Sequence, residues 1–464
     1  MQIGVQLAYL AAAVLFIFGL KQLSSPKGAR RGNWVAAVGV TLAIITTLYI
    51  LRPSFTVAGI VIIVVGMVAG SAIGTIGARA VRMTAMPQMV AAFNGVGGGA
   101  AALVAIVELL DHGNHSGVAL TFPSAFSIVI GGISFAGSAI AFAKLQELMT
   151  GRPITYPAQQ VVNGIIALAI VGLTIATLAV SSTPAYFVPL LVLALILGVA
   201  FVLPIGGADM PVVISLLNAF TGLAVAASGF VLDNFALIVA GTLVGASGTI
   251  LTKLMGDAMG RSIFSVLFGA FGSVQSAGAG PEGSVEGRSV RSGSAEDIGT
   301  MLAYSRSVIV VPGYGLAVAQ AQHVVRELAE LLDKKGVEVR YAIHPVAGRM
   351  PGHMNVLLAE ANVPYEQLKE MDEINGDFKS TDVVLVVGAN DVVNPAAHSS
   401  PGSPIYGMPI LHVDEAKTVV FLKRSMRPGF AGIDNELLYD PKTIMLFGDA
   451  KESLSQLVAA VKAS

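Results

Sequence analysis

A glycine-rich turn stands between an apolar run and a stretch of helical spacing in the C-terminal part of the chain. Residues 307–311 read SVIVV, which is typical of a buried strand, and residues 316–335 have the spacing of an amphipathic helix. Gly313 and Gly315 lie between them in the pattern G-x-G-x-x-V, in which Val318 takes the place of a third glycine. Such glycines permit a tight turn and a close approach of the backbone to a pyrophosphate, and the next helix supplies free N–H groups. The turn therefore predicts a dinucleotide site.

Two cations follow a later apolar run. The second predicted strand, residues 337–343, is followed by His344 and lacks the terminal acid that holds the ribose hydroxyls in NAD sites. Lys423, Arg424 and Ser425 directly follow the run at 418–422. Two cations and a hydroxyl at a ligand-facing strand end suit a phosphate dianion, which favours NADP over NAD. A solvated surface pair is the alternative interpretation.

Two further strand ends are rich in glycine and polar groups. Residues 388–391 (GAND) follow the run VVLVV at 383–387, and residues 346–353 (VAGRMPGH) follow His344. Arg349 could pair with a pyrophosphate, and Asp391 could accept a hydrogen bond from a carboxamide or a ribose. Ordinary turn chemistry is the alternative at both places. The sequence contains no pairing of nucleophile and base, no metal-ligand cluster and no second dinucleotide turn.

The elements that must position these groups alternate between strand and helix. Further strands are predicted at 418–422 and 443–447, so we expect an α/β Rossmann-like parallel sheet over residues 300–464. A stretch dominated by Gly, Ser and Ala precedes it, and we expect a flexible linker at 266–299.

The rest of the chain has the composition of a membrane protein. Of 464 residues, 54% are hydrophobic, and the mean hydropathy is +0.74. The first 261 residues hold only 11 of the 28 Lys+Arg and 6 of the 29 Asp+Glu. A net charge of −1 excludes a nucleic-acid binder held by bulk electrostatics. Because there is no cysteine, disulfides, zinc-thiolate sites and iron–sulfur clusters are excluded as well.

About nine stretches in residues 1–265 are long and apolar enough to cross a bilayer. They lie near residues 3–20, 34–51, 55–77, 87–109, 122–143, 160–179, 184–204, 211–229 and 234–255. With nine spans, the loops on one side carry ten Lys and Arg residues, Lys144 among them, and the other side carries only Arg52. Positive charges are retained in the cytoplasm, so we expect the N-terminus outside and the C-terminal domain in the cytoplasm.

Polar side chains at membrane depth are candidates for a transport path, because an unpaired polar group there is costly. They are Asn94, Ser138, Asn163, Asp209 and Asn218. No Lys, Arg, His or acid occupies a predicted membrane centre, so the chain has no obvious titrating relay of its own.

Several long motifs resemble one family. They are IGGADMPVV at 205–213, PGYGLAVAQAQ at 312–322, HPVAGRMPGHMNVLLAEA at 344–361, GANDVVNP at 388–395, KRSM at 423–426 and GDA at 448–450. They are similar to the β subunits of proton-translocating nicotinamide nucleotide (NAD(P)) transhydrogenases, over essentially the whole chain.

The resemblance implies hydride transfer between NAD(H) and NADP(H), coupled to proton passage through the membrane domain. It implies that this chain binds NADP(H) and that a partner α subunit supplies the NAD(H) domain and the remaining membrane helices, in a dimer of heteromers in the inner (plasma) membrane. Including the glycine turn, the implied NADP(H) contacts are Gly313, Tyr314, Gly315, Val318, Val346, Ala347, Gly348, Arg349, Met350, Pro351, Gly388, Ala389, Asn390, Asp391, Val392, Gly407, Met408, Lys423, Arg424, Ser425, Met426, Arg427, Pro428, Gly429, Phe430, Asp449 and Ala450. Proton-path roles carry over onto Ser138, Asp209 and Asn218.

Two positions depart from the family pattern. Asn94 stands where many members carry a membrane histidine, and Phe430 stands where tyrosine is frequent. Asparagine does not titrate near neutral pH, so we expect the protonatable group on a partner helix or elsewhere. An ion channel or transporter whose cytoplasmic domain only senses NAD(P) is the alternative function.

Overall fold

The computed structural model describes residues 2–23, 26–81, 85–112, 117–146, 148–150, 154–179, 183–206, 209–258, 290–348, 352–400, 403, 405–429 and 431–464. These residues form two compact units, which divide between Thr252 and Lys253.

The first unit consists of long apolar helices. In the described residues they are α1 (Gln2–Leu23), α2 (Pro26–Leu51), α3 (Val57–Ala80), α4 (Met86–His112), α5 (Val118–Leu145), α6 (Gln159–Ala179), α7 (Pro184–Val202), α8 (Met210–Val231) and α9 (Phe235–Ala258). All nine are long and apolar enough to span a bilayer, which confirms the predicted spans. The largest difference is at α2, which begins at Pro26 rather than near residue 34.

Small residues bring the helices of this unit together. Gly241 of α9 lies directly against the backbone of Gly222 and Ala226 in α8, and Gly222 lies against the backbone of Gly241 and Gly245. A side chain at Gly241 or Gly222 would overlap the neighbouring helix, which explains the glycines at this crossing. No residue of α3 is buried in the described unit.

One cation assigned to a loop has a different place. Lys144 lies in the last turn of α5 and is only 3% exposed. The expectation of a loop position is wrong for this residue, because α5 continues beyond the predicted end at 143 and buries it.

The second unit is built on a parallel sheet. Its elements are α10 (Ala295–Ala303), β1 (Ser307–Pro312), α11 (Tyr314–Val318), α12 (Gln322–Lys334), β2 (Glu338–Ile343), α13 (His353–Glu360), β3 (Leu368–Glu370), α14 (Met371–Ile374), β4 (Val383–Val387), α15 (Ala396–Ser399), β5 (Thr418–Lys423), β6 (Thr443–Phe447) and α16 (Ala450–Ala463). All neighbours are parallel in the order β3-β2-β1-β4-β5-β6. This is the doubly wound dinucleotide-binding order and confirms the predicted fold class.

The core of this unit lies on both faces of the sheet. Along β1, Val308 and Val310 pack into one cluster, and Ile309 and Val311 pack into the other. Because successive side chains alternate between faces, a strand buried on both sides is apolar throughout. The run SVIVV follows from this requirement. Strand β3 was not predicted, since its three residues, LKE, contain no β-branched side chain.

The N-terminal edge of this unit lies further back than residue 300. Ser292 pairs with Met445 of β6, and Ser294 caps α10 by accepting a hydrogen bond from the Asp297 amide at 3.1 Å. Ile298 of α10 is fully buried. The boundary expected at 300 thus falls inside a packed helix. Its N-cap residue, Ser294, was not recognised in the sequence because it lies in a stretch rich in Gly and Ser. Residues 266–289 of the expected linker lie outside the described residues.

Candidate nucleotide site and membrane polar network

Two glycine turns meet where the strand order reverses, between β1 and β4. The Gly313 amide donates to the Val387 carbonyl at 2.9 Å, and the Gly315 amide donates to the Gly388 carbonyl at 3.0 Å. Gly388 has a φ of +68°, and a side chain at any of these three glycines would overlap the opposite turn. The glycines are therefore required for packing of the two turns at the crevice where doubly wound folds bind ligands. Close approach to a pyrophosphate stays a prediction.

The helix after the first turn is shorter than predicted. Instead of one helix over 316–335, α11 ends at Val318 and α12 begins at Gln322. Gln320 between them has a φ of +51°, a left-handed conformation that ends α11. The expected dipole of a long helix is thus not aligned on the glycine turn. Val318 is 45% exposed, so the third position has no close helix–strand contact that would demand glycine.

The turn after β4 is bonded to the segment after β5. The Asn390 amide Nδ2 donates to Asp391 Oδ1 at 2.9 Å, and Asp391 Oδ2 accepts from the Ala431 amide at 2.9 Å. Asn435, which is buried, donates from Nδ2 to the Asn390 carbonyl at 3.2 Å. Gly429 lies so close to Asn390 and Asp391 that a side chain there would overlap both. This network fixes both segments at one edge of the sheet.

Lys423 and Arg424 lie at the same edge and are held differently. Lys423 Nζ donates to Asn390 Oδ1 and to the Arg427 carbonyl, both at 3.0 Å. Burial lowers the pKa of Lys423, while the nearby carboxylates of Asp391 and Asp434 act in the opposite direction. Lys423 is therefore half-buried and held by two neutral oxygens.

Arg424 is more exposed and has an acidic partner. Its Nη2 donates to Asp449 Oδ2 at 2.7 Å, and the side chain is 66% exposed. The hydrogen bond from Arg424 lowers the pKa of Asp449. Asp449 also caps α16, because its Oδ1 accepts from the Lys451 amide at 3.0 Å. The cation thus lies beside a helix N-terminus at the end of β6.

His344 connects two predicted nucleotide loops. Its Nδ1 accepts from the Val346 amide at 3.2 Å, so Nε2 carries the proton and donates to the Pro409 carbonyl at 2.7 Å. The ring is 1% exposed, and burial lowers the pKa of His344, although the bond to Pro409 acts the other way. One neutral imidazole therefore joins the loop after β2 to the loop that contains Met408.

The other predicted contact residues lie in these same segments. Gly407 has a φ of +81° and donates its amide to the Ala397 carbonyl at 2.9 Å, and Gly348 has a φ of +104° against the His353 ring. Tyr314, Val346, Ala347, Ala389, Val392, Met408, Ser425, Met426, Arg427, Pro428 and Ala450 occupy loops or helix starts after the strands. Arg349, Met350, Pro351 and Phe430 lie outside the described residues.

A second polar cluster lies inside the helical unit. Asn94 of α4 donates from Nδ2 to Ser138 Oγ at 2.9 Å and to Ser134 Oγ at 3.3 Å. Ser134 lies 2.6 Å from Thr221 Oγ1 of α8 and donates to the Leu217 carbonyl at 2.8 Å. Asn94 is 8% exposed, and its Oδ1 has no hydrogen-bond partner in the described part of the chain. An orphaned buried acceptor of this kind calls for a donor from outside the described residues.

Two of the predicted path residues are not part of this cluster. Asp209 is half-buried at the N-cap position of α8. Asn218, also half-buried, follows Leu217, whose carbonyl accepts the hydrogen bond from Ser134. The structure thus joins Asn94 to Ser138 but neither of them to Asp209 or Asn218.

Several residues of these networks were not predicted as site residues. Ser134 and Thr221 lie four and three residues from Ser138 and Asn218, so the i, i+3 and i, i+4 spacing of small polar residues was an available signal. His344 and Asn435 gave no local signal, because their partners lie 65 and 45 residues away in the chain.

These features define a polytopic membrane protein that carries a dinucleotide-type parallel sheet, with Lys423 and Arg424 after its fifth strand. The model of one family, described as NAD(P) transhydrogenase beta subunit, matches residues 5–460. Two relatives from Rhodospirillum rubrum, both named NAD(P) transhydrogenase subunit beta, are 52% identical over 461 residues, which is 98% of each chain. The chain belongs to the NAD(P) transhydrogenase beta subunit family.

Proposed function

We propose that this chain is the NADP(H)-binding and proton-conducting subunit of a transhydrogenase that couples hydride transfer between NADH and NADP to proton movement. The observation that carries the NADP assignment is the pair Lys423 and Arg424 at the ligand edge of the sheet, combined with His344 rather than an acid after β2.

The donor set suits a 2′-phosphate. Lys423 uses two of its three N–H groups in the bonds to Asn390 and Arg427, and Arg424 uses one of its five on Asp449. The remaining N–H groups can bind a dianion. The bond from Arg424 to Asp449 would then either persist beside the dianion or be replaced by it. Calorimetry on the purified chain in detergent tests this, and equal affinities for NADP and NAD would contradict it.

A nicotinamide pair supplies the hydride donor and acceptor when both nucleotides are bound. The protein then needs to bind and orient, and we assign it no catalytic acid or base. The network of Asn390, Asp391 and Ala431 holds the two loops that flank the crevice. If the transferred hydrogen of NADH carries an isotope label, the label is expected in NADPH. Label lost to solvent would indicate an intermediate carrier and contradict direct transfer.

The partner follows from the same proposal. A beta subunit implies an alpha subunit, and we assign to it the NAD(H)-binding domain and the remaining membrane helices, within a dimer of heteromers. The excess of Lys and Arg on one side supports an N-terminus outside and a cytoplasmic nucleotide unit in the inner (plasma) membrane. The orphaned Oδ1 of Asn94 supports a donor, a histidine or a protonated acid, on a partner helix.

A channel with a nucleotide-sensing domain is less favoured, because both relatives over the full length carry the transhydrogenase name. The two functions differ in one assay. The chain purified with its partner should reduce an NADP analogue with NADH in sealed vesicles, whereas a sensor would bind nucleotide without turnover.

A further inference from the structure

A buried lysine holds the end of one membrane helix and the loop that follows it. Lys144 Nζ donates to the carbonyl oxygens of Leu203 at 2.5 Å, Ile205 at 2.7 Å and Val202 at 3.5 Å. The side chain reaches these oxygens from the last turn of α5, which lies beside α7. Nucleotide binding and hydride transfer, as proposed for this chain, do not involve Lys144.

The bonds match the charged form of the side chain. An ammonium has three N–H groups and no lone pair, and three carbonyl oxygens face it. The last carbonyls of a helix lack partners within the helix and lie at the negative end of its dipole. Loss of the lysine would take one donor from each of these carbonyls, although those of Val202 and Leu203 keep backbone bonds from the amides of Ile205 and Ile154.

The segment held by Lys144 lies between α7 and α8 in the chain. Residues 203–206 follow α7, and Asp209 is the N-cap residue of α8. The same helix, α8, carries Thr221 of the polar cluster, and α5 carries both Lys144 and Ser138. Six residues separate Ser138 from Lys144, about 9 Å along a helix axis. A shift of this loop would therefore move α8 relative to the cluster on α4 and α5.

The start of α4 and the end of α5 are also tied together. Gln88, near the start of α4, donates from Nε2 to the Leu145 carbonyl at 3.0 Å. The Leu203 carbonyl accepts a second bond from the Ile154 amide at 3.1 Å. The contacts of Lys144 thus belong to a set that joins the ends of α4, α5 and α7.

We propose that Lys144 is a positioning residue for proton coupling, which holds residues 203–206, and through them the start of α8, in register with Asn94 and Ser138. This proposal rests on the proposed function, because the coupling of proton movement to hydride transfer can be measured only if the complex is a transhydrogenase. Loss of the amine should release the loop, so that proton movement falls more than hydride transfer.

The first experiment measures the loop itself, independently of activity. The chain has no cysteine, so Gly206→Cys provides a single reporter in the loop, and Thr183→Cys provides a matched reporter at the opposite end of α7. Combined with Lys144→Met, maleimide labelling at position 206 should accelerate about threefold or more, with no change at position 183. Equal labelling at position 206 with and without Lys144 would overturn the proposal.

The second experiment measures coupling in vesicles that contain the chain and its partner. Lys144→Met should lower the ratio of dye-reported proton uptake to NADH-dependent reduction of an NADP analogue by about threefold or more. Lys144→Arg, which keeps charge and donors, should restore part of it. Lys253→Met, at an exposed position of α9, is the control and should leave the ratio unchanged. A parallel fall of both activities would show that Lys144 serves folding only.

If Lys144→Met fails to assemble, Lys144→Gln, which retains two N–H donors, takes its place in both assays. Labelling at position 206 should again accelerate, and the ratio of proton uptake to reduction should again fall. If the parent complex transfers no hydride, the proposed function fails, while the labelling experiment still decides whether Lys144 holds the loop.

Discussion

Lys423 and Arg424 are neighbours in sequence but differ in environment. Lys423 is half-buried and bonded to two neutral oxygens, whereas Arg424 is exposed and paired with Asp449. We expect Lys423→Met to weaken NADP binding by about 10-fold to 100-fold, since a charge-assisted contact contributes about 1.5–3 kcal/mol. Binding of NAD should change little. Calorimetry checks both values, with Lys335→Met at an exposed site as the control. An unchanged NADP affinity would contradict the phosphate assignment.

His344 gives the nucleotide unit a dependence of stability on pH. Burial holds its pKa below the usual value of 6.5, so the folded state keeps the ring neutral while the unfolded state binds a proton first. The contribution of His344 to the free energy of unfolding is therefore complete above about pH 7.5. It decreases as pH falls below 6.5, by at most about 1.4 kcal/mol per pH unit.

We expect His344→Gln to make the free energy of unfolding less sensitive to pH between 6.5 and 5. Denaturant unfolding at a series of pH values measures this slope. The control is His323→Gln, because His323 is exposed on α12 and should leave the slope as it is. Equal slopes for parent and His344→Gln would show that the ring does not stay neutral in the folded protein.

At the scale of elements, the contact between the turns after β1 and β4 sets the shape of the crevice. Gly388→Ala combines a positive φ with overlap on Gly315, so we expect a loss of about 2 kcal/mol or more in the free energy of unfolding and weaker NADP binding. Gly336→Ala isolates the backbone effect, because Gly336 has a φ of +84° but open space around it, and should cost about 1 kcal/mol. Equal losses for the two variants would mean that the turns do not need this close contact.

For the whole molecule, proton movement must depend on groups in the helical unit. We expect Asn218→Ala and Asp209→Asn each to abolish proton pumping in vesicles while NADP binding stays within about twofold of the parent. Asn163→Ala is the matched control, since Asn163 lies on α6 and accepts a hydrogen bond from Tyr156 at 2.7 Å, away from the cluster of Asn94 and Ser138. If both variants pump like the parent, the proposed route is wrong.

Hydrophobic pattern alone was enough to predict the nine spans and five of the six strands. A span must be apolar along about 20 residues, and a strand buried on both faces must be apolar throughout. Both requirements are local, so they are written in consecutive residues such as VVLVV at 383–387. Long motifs also marked the glycine turns and the cations after β5.

Tertiary structure decided which of these groups meet. The break at Gln320, the packed helix before residue 300 and the short strand β3 depend on neighbours that are distant in sequence. The same holds for the bond from His344 to Pro409. It also holds for the three carbonyls around Lys144, a residue that the sequence placed in a loop. A side chain's type limits the bonds that it can make, but burial and partners come from the packing of segments 40 to 65 residues apart, and only the folded chain determines them.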